Sequence, residues 1–424
     1  YSKSFAVSRK GATDWTLNEL STYVTLVSSS SSAPAKWGLL SYFGRVNYGY
    51  KGRYLFEANL RADASSRFGV NQRWGYFPSF SGGWRISEES FMQGASDYLS
   101  NLKLRVSWGK TGNNSTGNYD WQANYATGNV VIDGEGTKGL VRKKLSNDKL
   151  HWESTATTDI GLDFGFFNHR LTGEIDYYNK YTSDILYHPE LYLSMGVVGS
   201  APENLGEVRN RGVEFTLNWN DRIGDFTYRV GANYTHWEEV TVRHADKSTD
   251  YYYANLNDLG VNAHAETYNI SWQTNGIFTS YDDMYNSYLH FKRNHTVGTF
   301  RMDDRNGDGV LGIADYAYNT GGGTTPQTLY GITLGAGWKD FSFEIFLQGA
   351  TSVSGDVTSP ARSQQDYYWN YGKYLFQESY TPSNPITNKL PLPTNSSYGW
   401  GYNYVDVWGY DASYLKLKNI SVSY

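Results

Sequence analysis

The stretch Tyr54-Leu-Phe-Glu-Ala-Asn-Leu-Arg-Ala-Asp63 decides the fold. Tyr54, Phe56, Ala58, Leu60 and Ala62 share one parity, and Glu57, Asn59, Arg61 and Asp63 the other. Successive side chains of a strand point to opposite faces, so this alternation predicts a sheet with one apolar and one charged surface. The pattern repeats along the chain. Leu102, Leu104, Val106 and Trp108 alternate with Lys103, Arg105 and Ser107, and Ile160, Leu162, Phe164 and Phe166 with Asp159, Gly161, Asp163 and Gly165. Leu171 to Tyr181 puts Thr172, Glu174, Asp176 and Lys180 on the wet side. Later runs are Val213 to Trp219, Phe226 to Tyr234, Tyr330 to Trp338 and Phe341 to Leu347. After Tyr414-Leu-Lys-Leu-Lys418 the apolar parity changes at Ile420 and Val422, which predicts a bulge near Lys418 or Asn419.

A soluble antiparallel sandwich alternates in the same way. Three features favour a membrane barrel instead. Full charges separated by small Gly and Ser suit a hydrated lumen, and Tyr, Trp and Phe close the apolar runs as interfacial girdles do. Tight turns at Asn168-His169 and Lys339-Asp340 contrast with a tract from Gly355 to Asp411 that lacks strand rhythm. Short turns on one side and long loops on the other mark an outer-membrane barrel. About a dozen strands are expected, each supplying the ~9–11 tilted residues a span requires. The fold class is therefore all-β: a transmembrane antiparallel β-barrel, over residues 1–424.

Composition narrows the function. The 424 residues include 38 Tyr, 19 Phe and 14 Trp but no Cys, with a formal net charge of -5. No run approaches the ~18 apolar residues of a membrane helix, and a mean hydropathy of -0.57 is compatible with a barrel whose two faces average out. Absent cysteine removes thiolate metal sites and cysteine nucleophiles, and mild acidity argues against a nucleic-acid partner. The N-terminal Tyr1 to Val7 has no basic segment leading into an apolar one, as expected of a mature or truncated chain. His-Glu-x-x-His, Gly-x-Ser-x-Gly and Gly-x4-Gly-Lys motifs are all missing, so no enzyme is expected.

One motif carries ligand chemistry. Asp304, Asn306 and Asp308 stand at positions 1, 3 and 5 of a loop, followed by Gly309 at 6, the Val310 carbonyl at 7 and Asp315 at 12. That spacing fits a structural Ca2+ site, within a calcium-type loop near 303–315. An Asp/Asn/Gly-rich turn without an ion is the alternative. Aromatic clusters form a second candidate site: Tyr367, Tyr368, Trp369, Tyr371 and Tyr374, then Tyr398, Trp400, Tyr402, Tyr404 and Trp408, with Tyr251 to Tyr253 as a third group. Flat rings with polar tips suit stacking on sugars or gripping peptides. Of these, Tyr368, Trp369, Tyr371, Trp400, Tyr402 and Trp408 are the candidate substrate-binding residues.

Several segments resemble the SusC/RagA-like branch of TonB-dependent outer-membrane transporters. They include Gly44-Arg-Val-Asn-Tyr48, Ser66-Arg-Phe-Gly69, Arg73-Trp-Gly-Tyr-Phe-Pro-Ser79, Gly83-Trp-Arg-Ile-Ser87 and Glu89-Ser-Phe-Met92. Trp152-Glu153, Tyr177-Tyr-Asn-Lys180, Asn210-Arg-Gly-Val-Glu214 and Tyr414 to Asn419 follow in the family's order. The resemblance implies part of a barrel of about 22 strands with a plugged lumen, lacking here the plug, the TonB-contacting segment and the family's last strands. It also implies outer-membrane location and energy-coupled import of oligosaccharides or oligopeptides. The partners it implies are a SusD-like surface lipoprotein, the TonB complex acting through the absent plug, and outer-membrane lipid. A passive porin or adhesin barrel, or a soluble secreted glycan-binding β-protein, would share the strand features.

Overall fold

The computed structural model describes residues 5–12, 23–31, 36–132, 134–189, 199–243, 268–287, 289–290, 296–311, 315–323, 325–356, 377–383, 390–392 and 406–424. Eleven strands form one antiparallel sheet in which each pairs with its neighbours in sequence. They are β1 (Leu39–Tyr50), β2 (Tyr54–Ser65), β3 (Trp74–Arg85), β4 (Leu99–Asn113), β5 (Glu153–Phe166) and β6 (Leu171–Tyr187). The meander continues with β7 (Glu203–Ile223), β8 (Phe226–Arg243), β9 (Thr328–Trp338), β10 (Phe341–Thr351) and β11 (Tyr414–Ser423). No described helix is long and apolar enough to cross a membrane.

Register keeps the parities aligned across the sheet. Leu104 opposes Leu162, which opposes Ile175, which opposes Phe215, then Tyr234 and Tyr330. A one-residue slip would turn a whole strand inside out, so the continuous apolar band fixes the register. At β11 the band survives through a bulge. Phe346 pairs with Asn419 and Leu347 with Leu417, leaving Lys418 as the extra residue.

The distribution of burial rules out a sandwich. On the central strands the apolar parity lies uncovered, with Ile160 45%, Ile175 43% and Val213 41% exposed, whereas the Asp163 and Asp176 side chains on the charged parity there are 20% and 18% exposed. A water-soluble sheet buries its apolar face. Here the apolar face is left bare and the charged face of the central strands is the more sheltered one, which is the arrangement of a wall between lipid and an aqueous lumen.

Connections alternate strictly between the two rims. The segments 51–53, 167–170, 224–225 and 339–340 are tight, and 86–98 is a short excursion on the same rim. The opposite rim carries 66–73, 114–152, 188–202, 244–327 and 352–413. The tract from Gly355 to Asp411 is closed at its base, where Ser354–Asp356 pairs with Gly409–Asp411. At the tight-turn rim Tyr50 stacks on Tyr54 and Tyr54 on Trp84, while Phe341 meets Tyr424 at 4.8 Å. At the other rim Tyr42 stacks on Trp74. Amphipathic rings at both edges of an apolar band suit the two membrane interfaces.

Leu162→Arg places a charge in the middle of the band and should cost about 2–4 kcal/mol near the midplane. Ser107→Arg, on the other parity, should stay within about 0.5 kcal/mol. Equilibrium folding into lipid vesicles measures both.

Candidate functional site: the charged inner wall and the long-loop rim

The inner wall is built from the polar parity of the strands. Glu57, Arg61, Arg105, Asp163 and Glu174 all lie on it, as the alternation predicted. Arg45 bonds Glu57 at 2.9 Å and Arg61 bonds Asp63 at 2.7 Å. Arg105 is shared between two carboxylates, reaching Asp163 at 2.8 Å and Asp176 at 3.0 Å. Lys103 adds a longer contact to Asp163, at 3.7 Å. A concavity of about 480 Å³ opens beside this cluster, lined in part by Asn47, Glu57, Ser81, Lys103, Arg105 and Asp159.

Arg105 on β4 and Asp176 on β6 are separated by a strand, and they meet because Gly161 on β5 stands between them. A Cβ on Gly161 would lie 2.2 Å from Asp176 Oδ1 and 2.7 Å from Arg105 Cζ. The arrangement recurs at the other end of the sheet. Arg229 on β8 pairs with Glu344 on β10 across Gly335 of β9, whose Cβ would lie 2.6 Å from Arg229 Cγ. Glycine here is a notch through which cation and carboxylate reach each other over an intervening strand.

The long-loop rim is held by two small apolar cores. In the first, Phe68, Phe77, Leu150 and Trp152 are buried together, with Trp121 and Leu186 against them. Trp152 Nε1 donates to the Arg73 carbonyl at 2.8 Å, Arg67 Nη1 donates to the Asn114 carbonyl at 3.0 Å, and the Arg67 guanidinium lies 4.6 Å from the Trp37 ring centre. Arg67, Phe68, Arg73, Phe77 and Trp152 belong to the motifs quoted for the family resemblance, and their physical work is to lock the connections 66–73 and 114–152 together. The second core joins the two longest loops: Ile277, Phe300, Met302 and Leu311 from one, Tyr380 and Leu390 from the other. Leu392 N–H donates to the Gly298 carbonyl at 2.7 Å, and Thr274 Oγ1 donates to Asp406 Oδ1 at 2.8 Å.

The calcium-type loop lies beside this second core, with Leu311 buried in it. Asp304 accepts the Gly307 and Gly309 N–H groups at 2.9 and 2.8 Å, and Asp308 accepts the Val310 N–H at 2.7 Å. Asn306 Nδ2 donates to Asp308 Oδ2 at 2.9 Å. Asp315 is fully buried and accepts the Arg305 and Asn306 N–H groups at 3.0 and 3.3 Å, drawing position 12 of the loop back to its start. The loop thus closes on itself through side-chain oxygens that accept from its own N–H groups. Among the described residues no three Asp, Glu or His side chains converge as a metal cluster.

Of the candidate aromatic residues, Tyr368, Trp369, Tyr371, Trp400 and Tyr402 lie outside the described residues, as do Tyr251 to Tyr253, Tyr367, Tyr374, Tyr398 and Tyr404. Trp408 closes the 3-10 turn Asp406–Trp408 beside the base of its loop, and its side chain is outside the described set.

The sheet and its rims define an outer-membrane β-barrel wall. Comparison with known proteins gives the family. The sequence profile described as TonB dependent receptor-like, beta-barrel, matches residues 8–289. The TonB-dependent receptor SusC of Bacteroides thetaiotaomicron is 32% identical over 396 residues, covering 91% of this chain and 38% of its own. The TonB-dependent receptor P26 of Formosa agariphila is 29% identical over 413 residues, covering 91% and 39%. The RagAB peptide importer in its closed-closed state has the same fold, with a TM-score of 0.72 at 24% identity over 96% of this chain and 44% of that one. This chain belongs to the TonB dependent receptor-like β-barrel family and spans under two fifths of the length of these curated relatives.

Two expectations follow from the geometry. Gly161→Ala should lower stability by about 1–3 kcal/mol through overpacking, read by denaturant titration in vesicles, because the added methyl drives Arg105 from Asp176. The second concerns the hairpin Asn124–Ile132 with Glu135–Lys144, tied down where Lys144 Nζ meets Asp120 Oδ1 at 2.9 Å. Burial pushes the Asp120 carboxyl up, but hydrogen bonds from Lys144, Thr116 and the Gly117 N–H outweigh it and hold the group below the usual aspartate range. A depressed carboxylate pKa contributes stability above the unfolded value, about pH 4, which is lost as pH falls through the lower folded value. The protection of the Gly117 amide against hydrogen exchange, relative to its intrinsic rate at each pH, should therefore hold at neutral pH and fall only in that acid window.

Proposed function

We propose that this chain forms part of the wall and outer rim of a TonB-dependent transporter that imports oligosaccharides or oligopeptides across the outer membrane, together with a SusD-like surface lipoprotein. The observation that carries this reading is the charged, sheltered inner face joined to a rim on which two long loops fold into one unit. A hydrated wall lined by paired charges lets polar solutes pass without meeting an apolar surface. A rim with its own core presents a firm surface to substrate and to a lid. The aromatic-rich loops favour sugar faces, whereas the RagAB importer, which shares this fold, carries peptides. Coupling to the inner-membrane motor belongs to the plug, which is not in these residues.

Detergent extraction of native membranes, with mass analysis of what co-purifies, tests the assembly. The expected result is a parent well over twice this mass bound to a surface lipoprotein. Uptake by cells of labelled oligosaccharides and oligopeptides should stop when the proton gradient is collapsed. Uptake that persists would identify a passive porin, and a chain soluble without detergent would remove the transport reading.

We also propose that calcium binds through oxygens of Asp304, Asn306, Asp308, Asp315 and the Val310 carbonyl, and stiffens the two-loop unit. Calorimetry should show calcium uptake by the protein that is lost on replacing Asp304 and Asp308 by Ala, with the barrel still folded. Heat signals identical in the two proteins would refute the site.

A further inference from the structure

The tight-turn rim has one exception, the excursion 86–98 between β3 and β4, which runs through the 3-10 turns Ile86–Glu88 and Ser90–Ala95. Its anchor is Glu89, which is buried. Glu89 Oε1 accepts the Tyr54 hydroxyl at 2.6 Å and the Trp84 Nε1–H at 3.1 Å, while Oε2 accepts from Arg53 Nη1 at 3.2 Å. Tyr54 and Trp84 are girdle residues on the apolar, lipid-facing parity, directly opposed across β2 and β3. The excursion is therefore clasped to the outside of the wall, and the lumen lies on the other side of the sheet.

That position identifies the neighbour. Girdle tyrosines and tryptophans ordinarily send their polar tips into the head-group layer. Here the tips of Tyr54 and Trp84 are satisfied by Glu89, so this segment of chain stands where head groups would. Two large side chains on it remain bare, Phe91 and Tyr98, each 68% exposed. Its two glutamates are engaged nearby, Glu88 with Arg85 at 3.1 Å and Glu89 with Arg53, and its third acid, Asp97, is exposed beside Tyr98. A short element with both glutamates paired, its remaining acid at the exposed end and two bare aromatics, continuous with the lipid-facing band, has the character of an interfacial segment. We propose that residues 86–98 form an anchor in the periplasmic leaflet, with Phe91 and Tyr98 inserted among glycerophospholipids and Glu89 as the clasp that holds the anchor to the wall. The asymmetry of the rim follows from it: the tight turns need no such hold, and the excursion has one purpose-built.

The test uses the full-length protein carrying this chain, in a cysteine-free background, with Phe91→Cys or Tyr98→Cys labelled by a polarity-sensitive fluorophore. After reconstitution into phosphatidylethanolamine/phosphatidylglycerol vesicles, both labels should shift to the blue. Lipids bearing a spin label near the head group should quench them severalfold more than lipids labelled at the chain end. A label at Tyr285→Cys, exposed on the two-loop unit, should show neither effect. Glu89→Ala should release the segment and abolish the blue shift at position 91 while the barrel still migrates as a folded species on unheated gels. The proposal is overturned if the labels stay in a water-like environment in a folded barrel, or if in cells they cross-link to a periplasmic protein. A blue shift unchanged by Glu89→Ala would overturn the clasp.

Discussion

The structure depends on one constraint: its apolar face has no protein to cover it. In lipid every backbone polar group must find a partner within the protein, because hydrocarbon offers none. An antiparallel meander meets that demand strand by strand, and the register that does so also keeps all apolar side chains on one side. The girdles and the charged inner wall are consequences. Aromatic rings collect where the band meets water, and charge on the lipid-facing parity appears only beyond the apolar band, as in the Arg211–Glu238 pair. The same constraint explains the bulge at Lys418. It lets Leu415 and Leu417 face lipid below a register change that Ile420 and Val422 require, at the cost of one unpaired residue.

On the inner wall the difficulty is reversed. Charges placed on neighbouring strands must be paired, yet strands stand ~4.8 Å apart and long side chains from alternate strands are held apart by whatever lies between. The Arg105–Gly161–Asp176 and Arg229–Gly335–Glu344 rows solve this in the same way. Glycine weakens a strand when taken alone, but here it opens the space in which an ion pair closes over the backbone. A row of three strands is then tied by side chains as well as by the ladder, and the surface stays fully charged and neutralised.

The wall was legible in the sequence because its signal is local. Period 2 in Tyr54 to Asp63 is enough to assign faces, and the parity change after Lys418 is enough to place a bulge. The rims were far less legible. Phe68, Phe77 and Trp152 stood out as family motifs, but nothing in their spacing shows that they meet in one core, since that contact is made between segments far apart in sequence. The union of the two longest loops is hidden for the same reason: Phe300 and Tyr380 are packed together across two whole strands of sequence. Likewise Glu89 reads as one more surface acid until Tyr54 and Trp84 are seen to point at it.

These differences in legibility track the physics of each part. Where lipid is the partner, the environment is uniform and the chain needs only a repeating pattern, so composition and periodicity carry the information. Where the partner is another loop, specificity has to be encoded contact by contact, as in the Thr274–Asp406 hydrogen bond or the return of Leu392 to Gly298. A loop unit with its own core keeps its shape without drawing on the barrel beneath it. The wall can then remain a regular structure governed by the membrane while the rim varies with what it must hold. The small cores at the rim, and not the strands, are therefore where selectivity can change without endangering the fold.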